Sequence, residues 1–257
     1  MDITVRFFAV QRVQTGRRTL DLTLAEGASV DAAWATLVTQ MPELEPATSS
    51  VRFARNGVYV DRETALADGD ELAVIPPVAG GADGARGPSR STTSHRRIEL
   101  HDQPFPGDLI DRLRAELATP ADGAVAVFVG QTRESPGTPA PGQEAEAERF
   151  EGQHVSGLTY EAFEPMALSV LETIADEIET RFGVTRLAIL HRTGEVAVGA
   201  TSVIIVVASP HRAEAFEASR YAIEELKARA PIWKAERFAD GSVWMGAPAR
   251  TGPEEER

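Results

Sequence analysis

The sequence predicts an α+β protein with two domains, and three observations support this. Near the amino terminus, short strands with alternating apolar side chains surround one amphipathic helix. A stretch rich in Gly, Ser, Thr and Arg follows, with almost no apolar residue. After it, apolar strands are mixed with amphipathic helices. The 257 residues are 42% hydrophobic and 25% charged, so both regions can bury a core.

Residues 1–81 form the first predicted domain. Ile3, Val5 and Phe7 alternate with polar residues, which indicates a half-buried strand, and the Thr15-Gly16 pair predicts a hairpin turn to the next strand. Asn56-Gly57 predicts a second tight turn. The predicted elements are strands at 3–7 and 19–24, a helix from about 29 to 40, and strands at 51–55, 58–60 and 71–75. This order is typical of a β-grasp domain.

Residues 82–97 have the composition of a flexible linker, 98–247 form the second predicted domain, and 248–257 are a polar tail. A long mobile loop is expected from Glu134 to about Gly157. The predicted elements are helices at 106–117, 165–182 and 209–228, strands at 123–130, 155–160, 187–191 and 201–208, and a final hairpin at 233–238 and 243–245.

The composition excludes several classes of function. A net charge of −13 argues against a nucleic-acid partner. The chain has no cysteine, which removes thiolate metal sites and a cysteine persulfide, and its five histidines show no paired metal-binding spacing. We expect neither a metal nor a bound cofactor. The chain shows no signal peptide and no apolar run of membrane-spanning length, so we expect a cytoplasmic protein without a membrane partner.

Two places could bind an anion. Ser209 and Pro210 suit the first positions of a helix, whose free N–H groups favour an anion, and His211 and Arg212 add donors there. Arg133 follows an apolar strand and could offer its guanidinium to a phosphate. From the local sequence alone, a capped helix with solvated basic residues and an exposed loop arginine remain the better interpretations.

Two lysines lie close to a chain corner. Pro231 ends the preceding helix between Lys227 and Lys234, and Trp233 lies beside the second lysine. A lysine against an aromatic wall can have a lowered pKa and act as an acid, a base or a nucleophile. The spacing alone favours ordinary surface lysines, and a position at the edge of the core is the default interpretation for His191.

Together these segments resemble a known family. Residues 98–246, with GAVAVFVGQTRE, LTYEAFEPMA, PHRAEAF and LKARAPIWK, resemble the large subunit of molybdopterin synthase. Residues 1–81, with RFFA near the start and LAVIPPVAGG at the end, resemble the small subunit, a ubiquitin-like sulfur carrier. The chain is therefore similar to a fusion of the two subunits.

The resemblance implies an enzyme of molybdenum cofactor biosynthesis. Its reaction would transfer two sulfurs from a carrier thiocarboxylate to cyclic pyranopterin monophosphate and form the molybdopterin dithiolene. Lys227 and Lys234 match the family's active-site lysines, and Arg133, His211 and Arg212 match its anion-binding positions. Gly81, preceded by Gly80, matches the thiocarboxylated glycine. An α/β hammerhead-type second domain, a homodimer through that domain, and an adenylating and sulfurating enzyme acting on Gly81 are also implied.

The sequence departs from the family pattern in two places. Gly81 is followed by Ala82, so it has no free carboxylate unless the chain is cut there, and the loop from Glu134 to Gly157 is long and acidic. The sequence does not decide whether cleavage occurs. The alternative function is a non-catalytic one, in which a tethered β-grasp interaction module accompanies a large domain served by a separate sulfur carrier. We further expect Arg133, His211 and Arg212 to converge on one phosphate-sized site.

Overall fold

The computed structural model describes residues 1–77, 95–140, 143–239 and 241–245. The chain divides into two compact units. The first unit consists of Met1–Gly81 with Thr138–Glu151 and Val243–Arg257. The second unit consists of Ala82–Gly137 and Gly152–Ser242. Among the described residues, no helix is long and apolar enough to cross a membrane.

The first unit contains a five-stranded sheet and confirms the predicted β-grasp. The sheet order is β2-β1-β5-β3-β4, with β1 antiparallel to β2 and parallel to β5. Helix α2 covers one face, where Trp34 packs edge-on against Phe53 at 5.6 Å between ring centroids. The elements are β1 Asp2–Phe7, α1 Ala9–Thr15, β2 Thr19–Thr23, α2 Val30–Gln40, a 3₁₀ helix Pro42–Ala47, β3 Arg52–Arg55, β4 Val58–Val60 and β5 Glu71–Ile75.

Two turn predictions had different outcomes. The tight turn at Asn56-Gly57 is confirmed, with both residues at positive φ and Phe53 paired with Val60 across it. The hairpin turn at Thr15-Gly16 is wrong, because α1 lies between the first two strands and Gly16 ends it at φ 65°. A glycine in the left-handed conformation ends helices as readily as it forms turns, so the local signal was the same.

The second unit contains two sheets. The one with the longer strands, called the larger sheet here, has the order β6-β9-β11-β7, and in the other β8 lies between β10 and β12. The elements after the β-grasp domain are β6 His95–His101, α3 Leu109–Leu117, β7 Ala124–Gln131, α4 Glu144–Glu148, β8 Gly157–Ala162, α5 Glu164–Phe182, β9 Arg186–Arg192, β10 Gly194–Ala197, β11 Thr201–Ser209, α6 Arg212–Arg229, β12 Ile232–Arg237 and β13 Ser242–Met245. The predicted α+β fold class is confirmed.

The larger sheet carries a hydrophobic cluster on each face. One cluster joins Leu187, Ile189 and Ile205 to the apolar sides of α5 and α6. The other joins Leu190 and Val206 to α3, whose buried residues are Leu109, Leu113 and Leu117, as their spacing predicted. Because both faces are covered, β9 and β11 are almost continuously buried.

Three element boundaries differ from expectation. Strand β6 begins at His95, three residues inside the segment predicted as linker. The predicted loop at 134–157 contains α4 and the buried side chain of Phe150. Ser209 does not cap α6, because it still pairs with Ala124 in the sheet, and His211 is the N-cap residue instead.

Candidate active site

Lys227 and Lys234 lie on either side of the corner predicted at Pro231. Lys227 is in the last turn of α6 and Lys234 is on β12, with Ala230 already in extended conformation before the proline. These are the only lysines in the 257-residue sequence, against 24 arginines. A chain that uses arginine for its other cationic side chains has kept lysine at two neighbouring places, and an amine can lose its proton where a guanidinium cannot.

Lys234 lies in a setting that disfavours its charge. Burial lowers its pKa, and the positive charges of Arg133 and Lys227 lower it further, while the carboxylate of Glu236 opposes them. The Lys234 Nζ is 3.7 Å from Glu236 Oε1, and 37% of the lysine side chain is exposed. Lys234 is therefore half-buried, reachable by a substrate, and biased toward the neutral amine.

Glu236 fixes the chain segment opposite Lys234. Its side chain is only 3% exposed, and both carboxylate oxygens accept the Gly137 N–H, at 2.9 and 3.1 Å. A Cβ at Gly137 would lie 3.1 Å from Glu236 Oε1 and 3.6 Å from Lys234 Nζ, so a glycine suits this close approach. The carboxylate thus holds Gly137 next to the lysine.

Tyr160 and His191 line the same region. Tyr160 lies directly opposite Lys234 in the β8–β12 pairing, and its ring is 4.9 Å from the His191 ring. Burial lowers the pKa of His191 to about 4, and the charge of Lys227 lowers it too. His191 is therefore neutral at physiological pH, with Nδ1 positioned 2.7 Å from the Arg192 carbonyl oxygen. Burial raises the pKa of Tyr160, although a hydrogen bond with Ser202 opposes this.

Arg133 reaches this group from the end of β7. Thr132 donates its N–H to the Ala200 carbonyl at 3.0 Å and accepts the Gly199 N–H at 2.8 Å, which fixes the turn before the arginine. Arg133 is exposed, and its charge acts on Lys234. The structure therefore brings together Arg133, Lys227 and Lys234, three cationic residues widely separated in sequence.

His211 and Arg212 lie elsewhere in the chain. Both are exposed at the start of α6, whereas Lys227 is in its last turn. Fifteen residues of α-helix separate Arg212 from Lys227 by about 22 Å. Arg133 likewise follows the far end of β7 from Ala124, the residue paired with Ser209. Within one chain, Arg133 does not meet His211 and Arg212. Gly80 and Gly81 lie outside the described residues.

Glu236 and Tyr160 were not among the predicted site residues, and His191 was predicted to lie at the edge of the core. A signal for Glu236 was present, since Lys234 and Glu236 are two apart on a strand and so share a face. The scarcity of lysine was a second signal. No local pattern pointed to Tyr160, because its place opposite Lys234 depends on the pairing of β8 with β12.

Comparisons with known proteins match both parts of the chain. Residues 102–229 match the family model of the MoaE protein, and residues 5–81 match that of the ThiS family. The molybdopterin synthase catalytic subunit of Halalkalibacterium halodurans is 35% identical over 156 residues, covering 61% of this chain and 89% of that protein. Catalytic subunit 1 of Mycobacterium tuberculosis is 37% identical over 147 residues, covering 57% and 88%.

Two further matches differ in the share of the matched protein that aligns with this chain. The human molybdopterin synthase catalytic subunit is 39% identical over 137 residues, and the match spans 53% of this chain and 65% of the human protein, slightly under two thirds. A crystal structure of molybdopterin synthase from Staphylococcus aureus aligns with a TM-score of 0.49 at 36% identity, covering 58% of this chain and 96% of that one.

Proposed function

Since the chain belongs to the family of molybdopterin synthase catalytic subunits and carries a ThiS-family domain before that region, we propose that it converts cyclic pyranopterin monophosphate to molybdopterin. Two sulfurs would come from thiocarboxylates on Gly81, one from each of two charged carriers acting in turn. The convergence of the chain's only two lysines with Arg133 is the observation that carries this proposal. The non-catalytic alternative is not favoured, because the matching relatives are catalytic subunits.

The proposed chemistry needs no cysteine, and the chain has none. The thiocarboxylate sulfur forms a bond to a side-chain carbon of the pterin while a carbon–oxygen bond at that carbon breaks, so that the displaced oxygen leaves as water or stays on the phosphate. Water then breaks the acyl–sulfur bond, its oxygen ends on the Gly81 carboxylate, and the sulfur stays on the pterin carbon. Each sulfur transfer needs protons taken up and released near the reacting carbon. Lys234 suits this role because its lowered pKa makes the neutral amine more accessible.

The substrate carries a phosphate, and Arg133 is the cation at the lysine site suited to bind it. A planar guanidinium can donate two parallel hydrogen bonds to a phosphate. We infer that His211 and Arg212 bind the same substrate from a second copy of the chain. The reason is geometric, since α6 holds them about 22 Å from Lys227 in their own chain.

Strand β7 offers a surface for such a homodimer. It lies at one edge of the larger sheet as the described residues define it, and it exposes Val127 and Val129 to 39% and 37%. Phe216 on the adjoining helix α6 is 66% exposed. If two β7 strands meet antiparallel about a two-fold axis, the start of one strand lies opposite the end of the other. His211 and Arg212 of one copy would then approach Arg133 of the other.

A mixing experiment tests the shared site. Lys227→Ala and Arg212→Ala homodimers should each be nearly inactive, while a one-to-one mixture that exchanges subunits should recover about a quarter of wild-type activity. The reason is statistical, since half of the dimers are then mixed and one of their two sites carries neither substitution. If the mixture is as inactive as the separate variants, both residues act in the same chain.

A second experiment tests the lysines themselves. With thiocarboxylated carrier supplied, Lys227→Ala and Lys234→Ala should lower dithiolene formation by at least about a hundredfold. Lys234→Arg should be equally impaired, because arginine keeps the charge but cannot give up the proton. Arg114→Ala is the control, since Arg114 is an exposed residue of α3. Wild-type turnover in either alanine variant would exclude that lysine from the reaction.

The third part of the proposal concerns Gly81. Adenylation requires a free carboxylate, so we propose that the chain is cut between Gly81 and Ala82 and that a separate adenylating and sulfurating enzyme then acts on Gly81. Replacing Gly81 with isoleucine should block this activation. A Gly81→Ile chain that still makes molybdopterin in a strain without another carrier would show that the diglycine is only a linker.

A further inference from the structure

Strand β11 contains a β-bulge where it pairs with the end of β7. Thr201 pairs with Gln131, and the next pair joins Val203 to Gly130. Ser202 is therefore an extra residue on the β11 side of the pairing. A bulge bends its strand and changes the direction of one side chain, and bulges are frequent next to active sites. The direction of the Ser202 side chain is thus set by a local irregularity of the sheet.

The Ser202 hydroxyl joins two parts of the second unit. Ser202 is only 5% exposed, and its hydroxyl donates to the Gly130 carbonyl at 3.2 Å. It also forms a hydrogen bond with the side chain of Tyr160, which lies on β8 in the other sheet. A hydroxyl can donate one hydrogen bond while it accepts another, so it can satisfy both groups at once. This one side chain therefore connects the two sheets of the unit.

Gly130 allows the close approach of β7 to the bulge. A Cβ on Gly130 would lie 2.5 Å from Val203 Cγ1, which is a clash, and 3.7 Å from Ser202 Oγ. The glycine and the bulge therefore depend on each other. Two residues further on, Thr132 is held by two backbone hydrogen bonds to the turn before β11. Arg133 thus follows directly on a fixed segment.

Tyr160 connects the same hydroxyl to the lysine strand. Tyr160 lies directly opposite Lys234 in the β8–β12 pairing, so the two side chains are neighbours on one face of the sheet. Its ring also packs edge-on against the ring of the buried His191. The Ser202 hydroxyl therefore lies between the strand end that leads to Arg133 and the residue beside Lys234.

We propose that Ser202 is a positioning residue for the proposed sulfur transfer, because it holds Arg133 at a fixed distance from Lys234. It does so through Gly130 on one side and Tyr160 on the other. A guanidinium that is already in place loses less conformational freedom when it binds a phosphate. The identity of the substrate rests on the proposed function, whereas the spacing of the two cations can be measured without turnover.

The charge of Arg133 provides a readout of that spacing. This charge lowers the pKa of Lys234, so displacement of the guanidinium should leave more of the amine protonated and slow its reaction with an amine-specific reagent. Because Arg133 is exposed and solvent screens its charge, we expect Lys234 to react about twofold slower in Ser202→Ala than in the parent. Peptide mass mapping measures this rate. Ser219→Ala, at a buried serine of α6, is the matched control and should leave the rate unchanged.

A double-variant cycle shows whether Ser202 acts through Arg133. In an Arg133→Ala chain the charge is already absent, so the addition of Ser202→Ala should not slow Lys234 any further. A slowing of the same size in the Arg133→Ala background would overturn the proposal, and so would an unchanged rate in Ser202→Ala alone. If Ser202→Ala does not fold, Tyr160→Phe removes the other partner of the same hydrogen bond, and the same outcomes decide.

Turnover connects this spacing to the substrate. Ser202→Ala should raise the KM for cyclic pyranopterin monophosphate about fivefold to tenfold and leave kcat within about twofold of the parent, because a phosphate contact stabilises the ground state and the transition state alike. A fall in kcat with an unchanged KM would overturn the proposal. Absence of turnover in the parent would refute the proposed function instead, and the Lys234 rates would then decide the role of Ser202.

Discussion

Glu236→Gln is the substitution that best isolates the electrostatics of the lysine site. Glutamine keeps the shape of the side chain and an oxygen that can accept the Gly137 N–H, but it removes the negative charge 3.7 Å from Lys234 Nζ. Glu236 is the group that raises the pKa of Lys234 against burial, Arg133 and Lys227. The substitution should therefore lower that pKa further and increase the fraction of neutral amine.

The size of the effect follows from the distance. Two unit charges 3.7 Å apart interact by about 1 kcal/mol in bulk water and about 4 kcal/mol at an effective dielectric of 20. Because 37% of the Lys234 side chain is exposed, screening places the expected value near the lower limit. This corresponds to about five to ten times more neutral amine at a fixed pH below the pKa.

The scarcity of lysine makes this measurable. In the uncut chain, Lys227, Lys234 and the amino-terminal amine are the amines that an amine-specific reagent can modify, and peptide mass mapping separates the three. Lys234 in Glu236→Gln should react about five to ten times faster than in the parent at the same pH. The amino-terminal amine is the internal reference. Glu224→Gln is the control variant, since Glu224 is an exposed residue of α6 paired with Arg220.

An unchanged or slower Lys234 reaction in Glu236→Gln would show that Glu236 does not raise the pKa of Lys234. It would mean that the carboxylate does not hold a proton on the lysine, and that Glu236 only fixes the Gly137 segment. Equal acceleration in Glu224→Gln would show the same, because the effect would then come from the net charge of the chain.

Three further outcomes follow from the structure. Arg229→Ala should lower the free energy of unfolding in urea by up to about 3 kcal/mol, because it removes the cation 2.5 Å from the carboxylate of Glu177. The cost is at the lower end of the range for a buried pair, since Glu177 is 15% exposed and still accepts a hydrogen bond from Tyr221. Arg220→Ala at an exposed pair should cost under about 1 kcal/mol. Burial lowers the pKa of His191 from 6.5 to about 4 in the folded chain, so the unfolded chain binds the proton first as the pH falls. Up to about 3 kcal/mol of the free energy of unfolding should therefore be lost between pH 6.5 and 4. Urea unfolding curves at several pH values should show this loss in the parent and not in His191→Phe. Gly137→Ala should lower turnover by up to about tenfold with the melting temperature unchanged, because the added Cβ would lie 3.1 Å from Glu236 Oε1. Gly107→Ala is the control and should change neither quantity, since no atom lies within 4 Å of its added Cβ. Equal turnover in the two variants would show that the close approach of Gly137 to Glu236 does not matter for activity.

Local patterns were sufficient to predict most elements. The stripe of Leu109, Leu113 and Leu117 depends only on helical periodicity, and Asn56-Gly57 depends only on the conformations those two residues allow. The predictions were wrong where one residue pattern is compatible with two different local structures. Gly16 serves a helix end rather than a hairpin, and Ser209 continues a strand because Ala124, far away in sequence, pairs with it.

The candidate site was predictable only in part for the same reason. Lys227 and Lys234 flank one proline, so a local argument could place them at one corner. Tyr160 and Glu236 depend on strand register and on a contact with Gly137, neither of which the sequence expresses locally. The length of α6 separates His211 and Arg212 from Lys227. For this reason the site that was expected within one chain is proposed to form between two chains.

Intact-mass spectrometry of the purified protein, before and after addition of cyclic pyranopterin monophosphate, decides whether Gly81 delivers the sulfur. We expect a carrier fragment ending at Gly81, heavier than its carboxylate form by the difference between sulfur and oxygen. That extra mass should disappear at the rate at which dithiolene forms, and it should persist in the Lys227→Ala protein. Sulfur delivery from a free Gly81 is excluded if an uncut chain still forms dithiolene in the absence of any other carrier, and a role for Lys227 is excluded if the Lys227→Ala protein consumes the thiocarboxylate as fast as the parent.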